Sequence, residues 1–318
     1  MLVAALAGCS AERLPGRPPV EDHPPLLLAF TSERPPSPTF YTDVYLYDVR
    51  GGGPAFLPAN LNTPSLEGPC ALSGDGRTVA FYSTRLATGS LALLFLYDIA
   101  SAQTRIPARI NQLFQVQNPS LSYDSRFLAA QYQVSGPFDQ YIAIQDLVAD
   151  SLLGVPNLNS AGATNFDPSL NGNGSLVAFA SNRIGTVGAF DIFLYSVPGD
   201  SMIALPGLNS TAMELSASIS ADGRYIAFQS GRLGGAGIID VFVYDRQTQS
   251  LLALPGVNTN LSEILPALSP DGRYLTYATE ANGGRDVGLY DLRDRRHLPL
   301  PDLNDPYFFD SAPVLADR

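Results

Sequence analysis

The 318-residue sequence has few of several residue types, and each scarcity excludes a class of function. Two Cys and two His are too few for a disulfide framework or a metal site built from histidines. All 19 basic residues are Arg and there are 30 acidic residues, so the net charge of -11 argues against nucleic acid as a partner. No apolar run reaches the ~18 residues that would predict a membrane-spanning helix.

Charged residues make up only 15% of the chain and hydrophobic residues 45%, which predicts a globular protein with a sizeable core. The 28 Gly and 26 Pro residues favour a fold with many turns. The sequence also lacks two catalytic signatures that do not depend on clustered histidines. It contains no Gly-x-Ser-x-Gly nucleophile elbow and no Walker A loop.

The first nine residues are apolar and end in Leu6-Ala7-Gly8-Cys9, which resembles the lipobox of bacterial lipoproteins. That resemblance implies that residues 1–9 are a truncated-looking signal and that Cys9 is lipidated. A signal peptide carries a basic segment and a longer apolar stretch, so we expect the natural start to lie upstream of Met1. Residues 10–25 are rich in Pro and without hydrophobic periodicity, which predicts an extended tether.

The remainder, residues 26–318, is repetitive. Turn-forming segments of the type Ser-x-Asp-Gly-Arg recur every 49 residues. The last residue of each segment is Arg77, Arg126, Ser175, Arg224 or Arg273. Apolar, alternating segments flank each turn and predict a hairpin, and a third and a fourth short strand follow in every unit. Pro closes each fourth strand, which places that strand at an edge.

Repeated four-stranded units of this length predict a β-propeller. The third and fourth strands occur six times, but the sixth copy of the first strand lies at Pro313-Val314-Leu315-Ala316. Its hairpin partner matches Leu27-Leu28-Ala29-Phe30, near the other chain end. We therefore predict one all-β domain, a six-bladed propeller with four antiparallel strands per blade, whose first blade joins N-terminal and C-terminal strands.

The repeat Pro-x-Leu-Ser-x-Asp-Gly-Arg-x-Ile-Ala-Phe-x-Ser, followed by Asp-Ile-Phe-Leu-Tyr-Asp, resembles that of TolB-type propellers. The resemblance covers about residues 26–318 and does not include the separate N-terminal domain of that family. It implies an extracytoplasmic protein of the bacterial cell envelope. Leu or Ile stands before the turn Ser, where the family usually has Trp. Because one fold hosts many activities, the repeat does not specify a function.

Two repeated polar positions predict structural roles. Arg precedes Asp by eight or nine residues in three blades, which predicts an Arg–carboxylate bridge across a loop. These pairs are Arg34–Asp43, Arg183–Asp191 and Arg232–Asp240. One Asn recurs in all six units and predicts a loop cap, because Asn readily bonds nearby backbone. It is Asn62, Asn111, Asn159, Asn209, Asn258 and Asn304. Cys70, on an inner strand, is predicted to be a small buried residue.

A third repeated position predicts a binding site. The residue six before the turn Ser opens each inner strand, and four of the six are acidic. In chain order these residues are Glu67, Val116, Asn165, Glu214, Glu263 and Asp310. Ring closure makes Glu214, Glu263, Asp310 and Glu67 neighbours, which we name the acidic arc. Close carboxylates repel, so an exposed arc at a mouth of the channel favours a basic segment or a cation as its partner; no other cofactor is predicted.

The sequence thus favours a non-catalytic protein- or peptide-binding module, monomeric and held at the membrane by the Cys9 lipid alone. Its predicted partner-binding residues are Glu67, Glu214, Glu263, Asp310 and Asn165. One alternative is a carbohydrate-active enzyme that uses two channel carboxylates, a glycoside hydrolase or lyase. Another is a purely structural component of the envelope.

Overall fold

A computed structural model describes most of the chain downstream of the predicted tether. The described residues are 26–34, 42–52, 55–86, 92–134, 136, 139–281, 284–304 and 309–317. Cys9 and residues 10–25 therefore lie outside the described residues. Within the described part, the only helical element is one 3-10 turn, Ile110–Gln112. No helix of that part is long and apolar enough to cross a membrane.

The rest of the regular structure is β-sheet. The strands are β1 (Leu26–Ser32), β2 (Asp43–Asp48), β3 (Glu67–Leu72), β4 (Thr78–Ser83), β5 (Leu93–Asp98), β6 (Gln103–Arg105), β7 (Phe114–Leu121), β8 (Phe127–Gln133), β9 (Gln140–Asp146), β10 (Ser151–Leu152), β11 (Asn165–Leu170), β12 (Leu176–Ser181), β13 (Asp191–Ser196), β14 (Ser201–Ile203), β15 (Glu214–Ile219), β16 (Tyr225–Ser230), β17 (Asp240–Asp245), β18 (Ser250–Leu251), β19 (Glu263–Leu268), β20 (Tyr274–Ala281), β21 (Gly284–Asp291), β22 (Arg296–His297) and β23 (Asp310–Asp317).

These strands form six antiparallel sheets, the blades of a propeller, which confirms the predicted fold. Blades 2 to 6 each run from an inner to an outer strand, beginning with β3, β7, β11, β15 and β19. Blade 1 has the order β23-β1-β2. An isolated bridge between Leu46 and Phe56 stands where the fourth strand of blade 1 would be.

Blade 1 joins the two ends of the described chain, as the sequence predicted. Strand β23 pairs with β1, with Leu27 opposite Ala316 and Ser32 opposite Asp310. On the face where the hairpin turns lie, backbone hydrogen bonds also link neighbouring blades. They run from Asp75 N to Tyr123 O, Tyr123 N to Gly172 O, Gly172 N to Ala221 O, Ala221 N to Pro270 O, and Asp317 N to Gly74 O. Because Pro270 has no N–H, the seam between blades 6 and 1 is closed differently, by the Asp271 N–H bonding the Asp317 carboxylate.

The repeated turn owes its shape to its own side chains. In blade 2, Ser73 Oγ donates to Asp75 Oδ1 at 2.7 Å and accepts from Thr78 N at 2.9 Å. Gly76 has a φ of 67°, which suits a residue without a Cβ. These turns are structural, and they gather acidic and basic residues on one face of the disc.

Apolar side chains of neighbouring blades pack against each other and form the core. Between blades 1 and 2, Val44 and Leu46 pack in one cluster with Val79, Phe81 and Phe95. The predicted Asn caps are confirmed in all six units. In blade 1, Asn62 Oδ1 accepts from Val44 N and its Nδ2 donates to Val44 O, both at 2.9 Å. The other five Asn side chains make the same pair of bonds, to Leu94, Ile142, Ile192, Val241 and Val287.

Candidate functional site

The acidic arc begins the inner strands, at the face of the disc opposite the hairpin turns. Its four carboxylates and the Asn165 amide are fully buried, each with 0% exposure. This contradicts the predicted exposure of the arc at the channel mouth. Val116, the neutral member of the same position, is also buried, at 4%. Partner binding by these residues stays a prediction, while their contacts show a structural role.

An Arg eighteen residues later, just past the end of the neighbouring strand, pairs with the buried residue. Arg85 donates to Glu67 and Arg232 donates to Glu214, each at 2.9 Å. Arg34 pairs with Asp310 across the joined chain ends. Each Arg also donates to a carbonyl of the loop before the inner strand, as Arg232 does to Leu208 O at 2.7 Å. We call this Arg–carboxylate arrangement the brace.

The brace corrects the predicted Arg–Asp bridge. Asp191 and Asp240 accept hydrogen bonds from backbone N–H groups of their own loop instead. For Asp191 the donors are Val187 N at 2.7 Å and Gly188 N at 3.0 Å. The separation of eight or nine residues relates two independent repeated positions. Each Arg instead reaches the first residue of the inner strand of its own blade, which is Asp310, Asn165 or Glu214.

Hydroxyl and aromatic groups complete the brace. Ser230 Oγ donates to Glu214 at 2.9 Å, and the Arg232 guanidinium lies 4.8 and 4.9 Å from the ring centroids of Phe228 and Phe242. A planar guanidinium suits both contacts, which an ammonium group would not reproduce.

Blades 4 and 6 vary this arrangement. In blade 4 the partner of Arg183 is the neutral Asn165, whose Oδ1 lies 3.2 Å away. Burial lowers the pKa of Arg183 to about 10. In blade 6 the residue eighteen after Glu263 is Ala281, and Glu263 accepts from Thr259 Oγ1 at 2.6 Å and Thr259 N at 3.0 Å. A charged pair is therefore one of several ways in which this chain fills the position.

A cavity of about 300 Å³ lies on the axis of the disc, lined by all six inner strands. One residue of each inner strand, two positions after the buried one, lines this cavity. We call this set the channel column: Pro69, Asn118, Asp167, Ser216, Leu265 and Ala312. The non-proline members all have left-handed backbone, with φ between 48° and 53°. The strand register shifts at the same place, as between Phe166 and Ser169 of β11.

A left-handed residue inside a strand makes a bulge that redirects a side chain. Left-handed backbone is uncommon outside glycine, and residues that adopt it cluster at functional sites. Its presence in five inner strands therefore makes the channel column the candidate site.

Three consecutive members of the column form a polar arc. Asn118 Nδ2 donates to Asp167 Oδ1 at 2.7 Å, and Ser216 Oγ donates to Asp167 Oδ2 at 3.3 Å. Gln131, from the second strand of blade 3, accepts from Asp167 N at 3.1 Å. Burial raises the pKa of Asp167, and the bonds from Ser216 and Asn118 partly oppose that effect.

The other three members, Leu265, Ala312 and Pro69, are apolar and also consecutive around the ring. Gln229 accepts from Leu265 N at 2.8 Å and fixes that bulge. Among the described residues that line the cavity, Asp167 is the only charged one. The site can therefore hold a group with hydrogen-bond donors on one side and an apolar surface on the other.

Two further predictions concern the burial of Cys70 and a cation at the channel mouth. Cys70 is buried, as predicted, and burial raises the pKa of its thiol to about 12. Within the described residues, no group of three or more His, Cys, Asp or Glu side chains could hold a metal ion. The cation that the sequence allowed at the mouth stays a prediction.

Comparison with known proteins identifies the architecture. The chain is similar to TolB from Acinetobacter baumannii, with a TM-score of 0.67 and 18% identity over 92% of this chain and 67% of that one. It is also similar to a putative TolB from Agrobacterium tumefaciens, with a TM-score of 0.57 and 14% identity over 93% and 98% of the two chains. A chain of a nidogen–laminin complex matches with a TM-score of 0.59 and 11% identity over 92% and 98%.

At these identities the likeness shows the fold and not the function. It confirms the TolB-type resemblance at that level. No protein-family model matches the sequence, and no curated protein matches it.

Proposed function

We propose that this protein is a non-catalytic binding module whose central channel accepts a segment of a protein partner. The observation that carries the proposal is the channel column, in which six left-handed or proline residues present a polar arc opposite an apolar arc. Protein complexes occur on this architecture, since a nidogen–laminin complex contains a similar chain.

The column also defines the chemistry of the partner. Asp167 offers an acceptor to an amide or amine donor, and Leu265 offers apolar contact on the opposite side. The exposed arc predicted a basic segment as partner. Because the four arc carboxylates are buried, this proposal requires only one donor group on the partner, opposite Asp167. The arc positions the inner strands, and partner binding by its residues stays a prediction on which this proposal does not depend.

The glycosidase alternative needs two carboxyl groups about 5 to 9.5 Å apart beside the substrate. Asp167 is the only carboxyl group among the described residues that line the cavity, so no observation favours that alternative.

A quantitative pull-down from envelope extracts tests the proposal. The baits are the wild type, Asp167→Asn, Ser216→Trp to obstruct the channel, and Asp294→Asn as a control. Asp294 is an exposed acid in the turn between β21 and β22 and does not line the cavity. We expect a partner retained by the wild type and the control and lost with Ser216→Trp. Equal recovery of every partner by all four baits would overturn the proposal.

We further propose an extracytoplasmic location in the bacterial envelope, with a lipid on Cys9. The Leu6-Ala7-Gly8-Cys9 segment and the Pro-rich residues after it support this proposal. Expression with the upstream in-frame sequence and a fatty-acid probe tests it. Label on the wild type and none on Cys9→Ser is expected; a soluble, unlabelled wild type would contradict it.

A further inference from the structure

Large aliphatic side chains project from the face of the disc that carries the channel mouth on the brace side. Ile184 and Leu233 are fully exposed and Ile238 is 81% exposed. Val187 lies in the same loop as Ile184, and Met213 and Leu261 lie in the adjoining loops that enter β15 and β19. We call these six residues, which lie in blades 4 and 5 and in the loop that enters blade 6, the apolar crown.

The loops that carry the crown present no charge to solvent. Residues 182–190, 206–213, 231–239 and 255–262 contain two charged residues, Arg183 and Arg232. Both belong to the buried arrangement of the brace position. On the opposite face of blade 5, by contrast, lie Asp222, Arg224 and Arg246. In a chain with a net charge of -11, this segregation leaves one uncharged sector.

The crown is held in place and is not a set of loose loops. Asp191 and Asp240 each accept N–H groups from their own crown loop. A Cβ at Gly188 would lie 1.9 Å from Ala212 O, and one at Gly237 would lie 1.8 Å from Leu261 O. Only glycine permits this close approach, so each crown loop packs against the loop that follows its blade.

We propose that the apolar crown inserts into the surface of a lipid bilayer. Fully exposed, projecting aliphatic groups need no complementary pocket in an acyl layer, whereas a protein partner would have to enclose them. Binding of this kind depends on buried apolar area and gains from basic residues facing anionic lipid. The crown loops expose no basic residue, so the proposed target is the apolar interior of the bilayer and not its headgroup charge.

Charge and chain length agree with this occupant. The hairpin face, where charged residues of the repeated turns such as Asp222 and Arg224 lie, points away from a bilayer that contacts the crown. An uncharged sector can therefore meet the lipid without repulsion between like charges. Strand β1 starts at that hairpin face, since Leu27 pairs with Asp48 and Leu26 with Asp317. An extended tether of residues 10–25 would reach about 50 Å at ~3.1 Å per residue. A six-residue strand spans only about 20 Å, so a membrane-anchored Cys9 would still allow the crown to contact the same bilayer.

The absence of Trp from the chain allows a site-specific test. Leu233→Trp places one reporter in the crown, and Val148→Trp places one at an equally apolar, 79% exposed position on the opposite face. Both are made in the full chain with Cys9→Ser, so that no lipid holds the protein to the vesicle. The probe is phosphatidylcholine vesicles, with brominated lipid as a quencher of buried Trp.

We expect vesicles to blue-shift and quench Trp at 233 and to leave Trp at 148 unchanged, with no loss at high salt. Replacing Ile184, Leu233 and Ile238 together by Ser should lower the partition coefficient about tenfold or more, measured by vesicle sedimentation. Since these residues are exposed, the triple variant should melt as the wild type does.

Three results would overturn the proposal. One is the absence of any change in Trp at 233 with these vesicles. Another is a blue shift that depends on protein concentration without vesicles, which would identify a second copy of the chain as the occupant. Equal responses at 233 and 148 would show attachment through the N-terminal segment and would also count against the crown.

Discussion

The brace of blade 5 should contribute several kcal/mol to the free energy of unfolding. Replacing Arg232 by Met removes the counter-charge of Glu214, which is 0% exposed, while Arg232 itself is only 10% exposed. Removing one partner of a buried ion pair typically costs about 3–5 kcal/mol. The guanidinium also lies within 4.9 Å of two aromatic ring centroids, and this stacking is lost with it.

A double-mutant cycle measured by urea unfolding separates the charge from the packing. Glu214→Gln reproduces the neutral arrangement that blade 4 already has, with Asn165 beside Arg183. It should therefore cost less, about 1–3 kcal/mol. The double variant should be more stable than the sum of the single effects implies, because no buried charge is then left without its partner.

The control is an exposed ion pair in the same chain. Arg109 and Asp150 lie 3.2 Å apart with side chains about half exposed. Arg109→Met should cost less than about 1 kcal/mol, as exposed pairs do. If Arg232→Met costs no more than Arg109→Met, or if the cycle is additive, the brace does not stabilise the blade in the way its burial indicates.

Three further predictions follow from other parts of the disc. Deleting residues 311–318 removes most of β23 and buried side chains such as Leu315, at about 1.5–3 kcal/mol each; we expect aggregation or a much lower melting temperature, and unchanged melting would refute the closure. Burial, with the charge and hydrogen bond of Glu67, raises the pKa of Asp43 from 3.8 to about 6. The folded state thus retains a proton that the unfolded state releases, so stability falls as pH rises from about 4 to 6. Asp43→Asn should raise the melting temperature at pH 7.5 and change it little at pH 4, and equal effects at both would contradict the shift. Finally, in a Cys9→Ser background, Cys70 should resist iodoacetamide at pH 8 until urea is added, because burial raises its thiol pKa to about 12; rapid native labelling would show an accessible thiolate.

The sequence predicts the fold because the fold is a repeat. A spacing of 49 residues, hairpin turns and an outer Pro all report local backbone requirements, and local requirements are legible in a single chain. Closure by β23 was also predictable, since the strand count left one half-blade at each end of the repeats. The same reasoning identified the Asn caps, whose partners lie within one unit.

The site was harder to predict because its contacts cross between strands. Arg232 stands eight residues before Asp240 but pairs with Glu214, eighteen residues earlier on the inner strand. Chain separation alone does not show which of two acids an Arg will reach. The burial of the acidic arc could not be predicted for the same reason, since it depends on partners from other segments, while partner binding by the arc stays a prediction.

The channel column could not be predicted, because a strand with regularly alternating side chains gives no sign of a bulge in its sequence. A strand places alternate residues on opposite faces, so one inserted left-handed residue changes which side chain enters the channel. The available signal was the run Asn165-Phe166-Asp167-Pro168, where an acid stands in a column otherwise filled by Pro, Asn, Ser, Leu and Ala. An acid alone among neutral residues at one repeat position is harder to explain as structure than four acids in a row.

This contrast suggests where the specificity of the chain resides. The position of the arc is occupied in every blade by a buried residue with a partner or packing role, so changes there act on stability. The channel column, by contrast, meets the cavity, and its backbone shape is fixed independently of its side chains by bonds such as Gln131 to Asp167 N and Gln229 to Leu265 N. A residue whose backbone is held by others is free to vary in side chain at small cost to the fold. The six column residues can therefore determine which group enters the channel, while the braces stabilise the blades that enclose it.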